Sequence, residues 1–183
     1  MASLRKANAY SKRNVTPFTR VSKRRQKSYI KTVPQQKIVK FTMGKNELIK
    51  KKKLLHKLTM FSKEKVQLRH NALEACRQYV NKKVNIIAGG QYYFRVVPFP
   101  HHIQRENKMI TGAGADRMQT GMQLSYGKSA GKAAILKKDS KIFVIHLPTE
   151  KNAQDVRKVL KQVNSKLPGK TGITYEKLSK KDL

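Results

Sequence analysis

Apolar positions along this chain keep a period only from residue 37 onward. Over residues 1–36 neither a helical nor a strand period persists, and Tyr10, Phe18 and Tyr29 stand isolated among basic residues, with Pro17 and Pro34 interrupting. That stretch predicts an extended arm without a core of its own. Residues 37–43, Lys-Ile-Val-Lys-Phe-Thr-Met, alternate as a short strand closed by Gly44. The basic run 45–57, with Lys50, Lys51, Lys52 and Lys53 consecutive, reads as a phosphate-contacting loop. Ser62 and Glu64 then mark a helix start, and Val66, Leu73, Cys76, Val80 and Val84 fall on one helical stripe that Gly89-Gly90 ends.

The period changes again at residues 91–97. Tyr92, Phe94 and Val96 alternate with Tyr93, Arg95 and Val97 until Pro98 and Pro100 stop the strand. Residues 101–132 are rich in Gly and basic side chains with almost no apolar period, which predicts a long internal loop, and loops of that length in compact domains are usually functional. Residues 133–137 and 141–147 form a hairpin around Lys138-Asp139-Ser140. A second helix over 152–166 carries Val156, Val159, Leu160, Val163 and Leu167 on one face and Arg157, Lys158, Lys161 and Lys166 on the other, and Pro168-Gly169 ends it. A last strand follows at 171–175. The order of elements predicts one α+β domain over 37–178, with an arm at 1–36 and a short tail at 179–183.

Charge decides the class of partner. The chain has 42 Lys and Arg against 10 Asp and Glu, a net +32 on 183 residues, and Glu47 is the first carboxylate. Self-repulsion of that size opposes a compact state unless a polyanion neutralises it. A membrane surface is disfavoured, because the arm has no amphipathic helix and residue 2 is Ala, not a myristoylated Gly. Basic residues spaced one to three apart with occasional aromatics suit a nucleic-acid backbone and its unpaired bases. No secretory signal or membrane-length apolar run is present, so a protein used in the cytoplasm is expected.

The motifs that carry chemistry are incomplete. Residues 109–116 resemble a dinucleotide-binding turn, but Arg117 stands where the third Gly belongs. Two phosphate-loop look-alikes, ending at Gly127-Lys128 and Gly131-Lys132, have the wrong spacing. His56, His70, His101, His102 and His146 show no acid-base relation to a carboxylate or nucleophile, and adjacent His101-His102 lack further metal ligands. The single Cys76 lies on the apolar stripe and reads as a small buried residue. No enzyme, cofactor, metal or small-molecule substrate is expected. Gly112, Gly114, Gly121, Gly127 and Gly131 instead suggest close backbone approach to phosphate or 2′-hydroxyl oxygens, with charge from Arg105, Lys108, Arg117, Lys128 and Lys132.

Several separate motifs agree in order and spacing with one family. Val66-Gln67-Leu68-Arg69-His70-Asn71-Ala72-Leu73-Glu74-Ala75, Phe94-Arg95-Val96-Val97-Pro98-Phe99-Pro100-His101, Arg105-Glu106-Asn107-Lys108-Met109 and Gly114-Ala115-Asp116-Arg117, with Gly121-Met122 and Gly127-Lys128, resemble the archaeal and eukaryotic version of large-subunit ribosomal protein sixteen, also called L-ten-e. The resemblance covers about residues 34–178. It departs at Gln123-Leu124-Ser125, where relatives place basic residues, and at Ser129-Ala130, where they place a proline-containing turn.

The resemblance implies a two-layer α+β sandwich of hammerhead type with two core helices, and a structural role beside the A-site tRNA and the peptidyl-transferase centre. It also implies support of tRNA accommodation, participation in late subunit assembly and neighbouring ribosomal proteins as partners. Under it, Arg5, Arg13, Arg20, Arg24, Arg25, Lys27, Arg69, Asn71, Arg77, Arg95, His101, Arg105, Lys128 and Lys132 are the expected large-subunit rRNA contacts. Lys108, Met109, Thr111, Gly112, Gly114, Asp116 and Arg117 are expected in the loop toward tRNA. A general nucleic-acid-condensing protein is the alternative that charge alone leaves open.

Overall fold

Antiparallel pairing builds two sheets from eight strands, β1 (Thr42–Gly44), β2 (His56–Ser62), β3 (Val66–Arg69), β4 (Tyr93–Val96), β5 (His102–Glu106), β6 (Lys128–Leu136), β7 (Lys141–Leu147) and β8 (Thr171–Lys177). The larger sheet runs β1-β4-β7-β2-β8 and the smaller β3-β6-β5. Among the described residues there are three helices, α1 (Asn46–Lys50), α2 (His70–Ala88) and α3 (Glu150–Val163), the last continued by a short 3-10 turn, Asn164–Lys166. The computed structural model describes residues 16–23, 28–106 and 127–179.

Both helices with apolar stripes are present, the first beginning later than the period predicts. α3 starts at Thr149, whose hydroxyl accepts the backbone N–H of Asn152, and buries Ala153, Val156, Val159, Leu160 and Val163. It packs on β2, β7 and β8. α2 buries Leu73, Cys76, Val80, Val84 and Ala88, and ends at Gly89 in the left-handed conformation. It touches α3, β3 and β6, so one apolar cluster unites both sheets, with Leu68 and Leu136 from the small sheet and Leu58, Phe94, Phe143 and Ile145 from the large one. The Phe94 and Phe143 rings meet edge to face at 5.5 Å.

Four expectations are corrected. The helix does not begin at Ser62: that residue ends β2, its hydroxyl donates to the Glu64 carbonyl, and Val66 lies on β3. A strand running straight into a helix places Val66 and Leu73 on one core, as a single helix would. The basic run 45–57 is not a loop throughout, since it contains α1 and the start of β2. The first strand is shorter than residues 37–43 and spans only Thr42–Gly44. The segment 101–132 is not structureless either, because His102–Glu106 and Lys128–Leu136 pair with each other.

Part of the N-terminal arm is docked on β5. The Phe18 backbone N–H donates to His102 Nδ1 at 3.0 Å, and its carbonyl accepts from the Ile103 N–H at 2.9 Å. The chain then folds back so that Thr19 bridges Tyr29, and the Ser22 and Ser28 hydroxyls bond to each other.

Among the described glycines, Gly44 at the end of β1 has the closest neighbour. It has φ +83°, and a Cβ there would lie 2.1 Å from the Tyr92 carbonyl oxygen. Gly44→Ala should lower stability in urea denaturation by at least about 3 kcal/mol, because backbone has to move. Gly89→Ala, at φ +54° with open space around it, should cost only about 1 kcal/mol.

Candidate nucleic-acid interface

The small sheet carries polar side chains on the face turned away from the core. Along β3, Val66 and Leu68 point inward, which turns Gln67 and Arg69 to the other side. Arg69 sits opposite Ala133, and Ala133 opposite His102, while Gly131 sits opposite Gln104. Gln67, Arg69, His70, His102 and Gln104 are all buried, and Gln104 Nε2 donates to Gln67 Oε1 at 3.3 Å. The Gln104 Oε1, His70 Nδ1 and Asn71 Oδ1 atoms have no hydrogen-bond partner among the described residues. Buried polar atoms without partners are costly.

The N-terminus of α2 opens at the same place. Its N-cap is Arg69, no side chain caps it, and its first turn holds no carboxylate. Its first backbone N–H groups and the positive end of its dipole favour an anion. His70 shows the local field: burial, then Lys37, Arg69 and Lys132, lower its pKa from 6.5 to about 4. Lys37, absent from the expected contacts, belongs with this corner. Its signal was weak, one Lys in an alternating strand pattern.

Gly131 has a structural reason in place of the one expected for it. A Cβ at this position would lie 3.1 Å from His70 Nε2, so the missing side chain makes room for the histidine. Gly127 is exposed beside β6, and Gly112, Gly114 and Gly121 lie outside the described residues.

Of the expected rRNA contacts, Arg69, Asn71, Arg105, Lys128 and Lys132 share the small sheet or its junction with α2. Lys128 lies opposite Glu106 at the end of the β5-β6 pair, and Lys132 opposite Ile103. The Arg105 guanidinium lies over the Phe18 ring, 4.3 Å from its centroid, so the arm and the hairpin meet there, with Arg20 exposed two residues on. Arg95 and His101 stand elsewhere, exposed on β4 and beside Phe99. Arg77 is engaged within its own helix. Its Nε and Nη2 donate to the two Glu74 carboxylate oxygens at 2.8 and 2.6 Å, and this pairing lowers the Glu74 pKa. Arg69, expected on an open face, is buried. Arg5, Arg13, Arg24, Arg25, Lys27, Lys108, Met109, Thr111, Gly112, Gly114, Asp116 and Arg117 lie outside the described residues.

Two of the other histidines have structural partners, and a third is half-buried. His56 Nδ1 bonds the Tyr175 hydroxyl at 2.8 Å, His102 accepts from Phe18, and His146 has its pKa lowered chiefly by burial. Burial pushes the Cys76 thiol up to about 12, which leaves it a packing group. Among the described residues no three metal-ligating side chains cluster, and no helix is long and apolar enough to cross a membrane.

The family described as ribosomal protein L16p/L10e matches residues 17–174. The chain belongs to the L16p/L10e family. A large ribosomal subunit protein uL16 from Metallosphaera sedula is 41% identical over 150 residues, 81% of this chain and 83% of the relative. Its counterparts in Sulfolobus acidocaldarius and Methanococcus aeolicus are 38% and 37% identical over 182 and 176 residues, covering 97% and 96% of this chain and 96% and 95% of their own lengths. Members of the L16p/L10e family are structural ribosomal proteins, and this one is accordingly not an enzyme.

The RNA-free protein should lose stability on mild acidification. The unfolded chain protonates His70 near 6.5 and the folded one only near 4, so the contribution of the neutral ring is complete above pH 6.5 and disappears as pH falls through 4. Urea unfolding at a series of pH values should show a loss of up to about 3 kcal/mol across that window, and His70→Gln should flatten the profile.

Proposed function

We propose that this ribosomal protein binds large-subunit rRNA near the A-site tRNA and the peptidyl-transferase centre. It supports tRNA accommodation and late subunit assembly, with neighbouring ribosomal proteins around it. Its α+β domain takes the two-layer hammerhead arrangement, with the arm 1–36 and the internal segment as extensions. The shared name of the relatives, large ribosomal subunit protein uL16, supports the large subunit as its place.

One observation carries the reading. β5 and β6 remain paired until Glu106 faces Lys128, so the segment between them leaves and rejoins the domain at a single point flanked by Arg105 and Lys128, with Lys132 further along the pair. The open helix start at Arg69 and Asn71 lies along the same sheet. Phosphates fit the uncapped start and the cations. In this reading Lys108, Met109, Thr111, Gly112, Gly114, Asp116 and Arg117 serve the tRNA side, while Arg5, Arg13, Arg20, Arg24, Arg25 and Lys27 of the arm hold rRNA. Arg95 and His101 add contacts from the β4 side. Arg77 contributes through the position it gives the Glu74 turn of α2.

Salt titration of binding to a large-subunit rRNA fragment is the test. With about ten phosphates neutralised, log affinity should fall against log salt with a slope of roughly −7 to −9, and Lys132→Ala should reduce the slope by about 1. A slope near zero would sink the electrostatic reading. Equal affinity for random duplex DNA would favour a condensing protein instead. In cell extract the protein should sediment with the large subunit and leave that fraction after nuclease treatment.

A further inference from the structure

Phe99 is the most exposed aromatic ring among the described residues, at 59%. Its neighbours hold it in that position. Pro98 and Pro100 on either side are buried, and each fixes its own backbone φ, so Phe99 stands on an anchored, stiff segment. Its carbonyl lies 3.1 Å from His101 Nδ1. The ring is paired with that of Phe41, centroids 5.6 Å apart and planes 30° from parallel, and Phe41 is tied in turn by the Val96 N–H donating to its carbonyl at 2.7 Å. The two rings form an aromatic ledge beside β1 and β4.

The surroundings of the ledge are cationic. Lys40, next to Phe41, and Arg95, across the ladder from Thr42, are both exposed, as is His101. Glu74, which accepts the Val39 N–H, is already neutralised by Arg77. An apolar protein surface gains nothing from such a rim, whereas an unpaired nucleobase brings both a π-face for the ring and flanking phosphates for the cations.

We propose that the Phe41–Phe99 ledge is a stacking site for one unpaired RNA base, with Arg95 and Lys40 taking the adjoining phosphates. The ledge is separate from the β5-β6 stem, and the proposal rests on the RNA-binding reading above. It assigns single-strand preference to a surface that backbone charge alone does not confer.

The chain contains no Trp, so Phe99→Trp places a lone fluorophore on the ledge of the full-length protein. Titration with a single-stranded RNA oligonucleotide should quench the indole, and a fully paired RNA of equal length should quench it far less. Phe99→Ala should weaken binding of the single strand roughly tenfold, as expected for the loss of one stacked base, and leave duplex binding and the salt slope unchanged. Unchanged urea unfolding would confirm that both variants fold. Equal quenching by both RNAs, or a Phe99→Ala variant that binds the single strand as tightly as the parent, would overturn the stacking site. A response to polyglutamate but not to RNA would replace it with a protein-docking surface. If the unsubstituted protein bound neither RNA, the broader RNA-binding reading would fall as well, whereas normal salt-dependent binding with an unresponsive indole would remove the ledge alone.

Discussion

Like charge that cannot be neutralised internally is the constraint to which the rest of this structure answers. Ten carboxylates cannot offset 42 cations, and repulsion among the remainder grows as they approach. The fold keeps cations out of the shared interior of α2, α3 and the two sheets, which is apolar. Most described Lys and Arg residues lie at the rim. The exceptions are accommodated individually: Arg77 takes both oxygens of Glu74, and Lys57 meets Glu176 at 2.6 Å on the surface of the large sheet.

The small sheet is where that arrangement is least complete. Its inner face supplies Leu68, Ala134 and Leu136 to the core, but its outer face buries amide and imidazole groups, some without partners, beside Lys37, Arg69 and Lys132. In the free protein His70 responds by staying neutral. An anion at the open end of α2 would relieve the same field, so the stability of the protein and its affinity for a polyanion draw on one set of charges.

Where the residue pattern led to the wrong element, the cause was geometric. Val66 and Leu73 fit one helical stripe because β3 runs into α2 with no Gly or Pro between them; only the extended backbone of Arg69, at ψ 145°, marks the boundary. β2 escaped notice because Lys50 to Lys53 dominate the residues just before it, although Leu58 and Met60 already alternate. β5 was hidden because two of its buried residues, His102 and Gln104, are polar, a combination that removes the hydrophobic signal on which a period depends. The partners that buried them, Phe18 and Gln67, lie 84 and 37 residues away in sequence.

Composition alone determined the class of partner, because net charge is a sum that no fold can change. Local spacing determined the stripes of α2 and α3 and the strand ended by Pro98, since each depends on neighbours within a few residues. The motifs from Val66 to Lys128 also sufficed to point to the ribosomal family. Which cations converge was decided only by tertiary structure, because Arg69, Lys132 and Arg105 are brought together by the β3-β6-β5 pairing. Long-range contacts also set Phe41 against Phe99, whereas the pairing of Arg77 with Glu74 is local, three residues apart on one turn of α2. Side-chain type is written locally, but exposure and partnership depend on which distant strand arrives beside it.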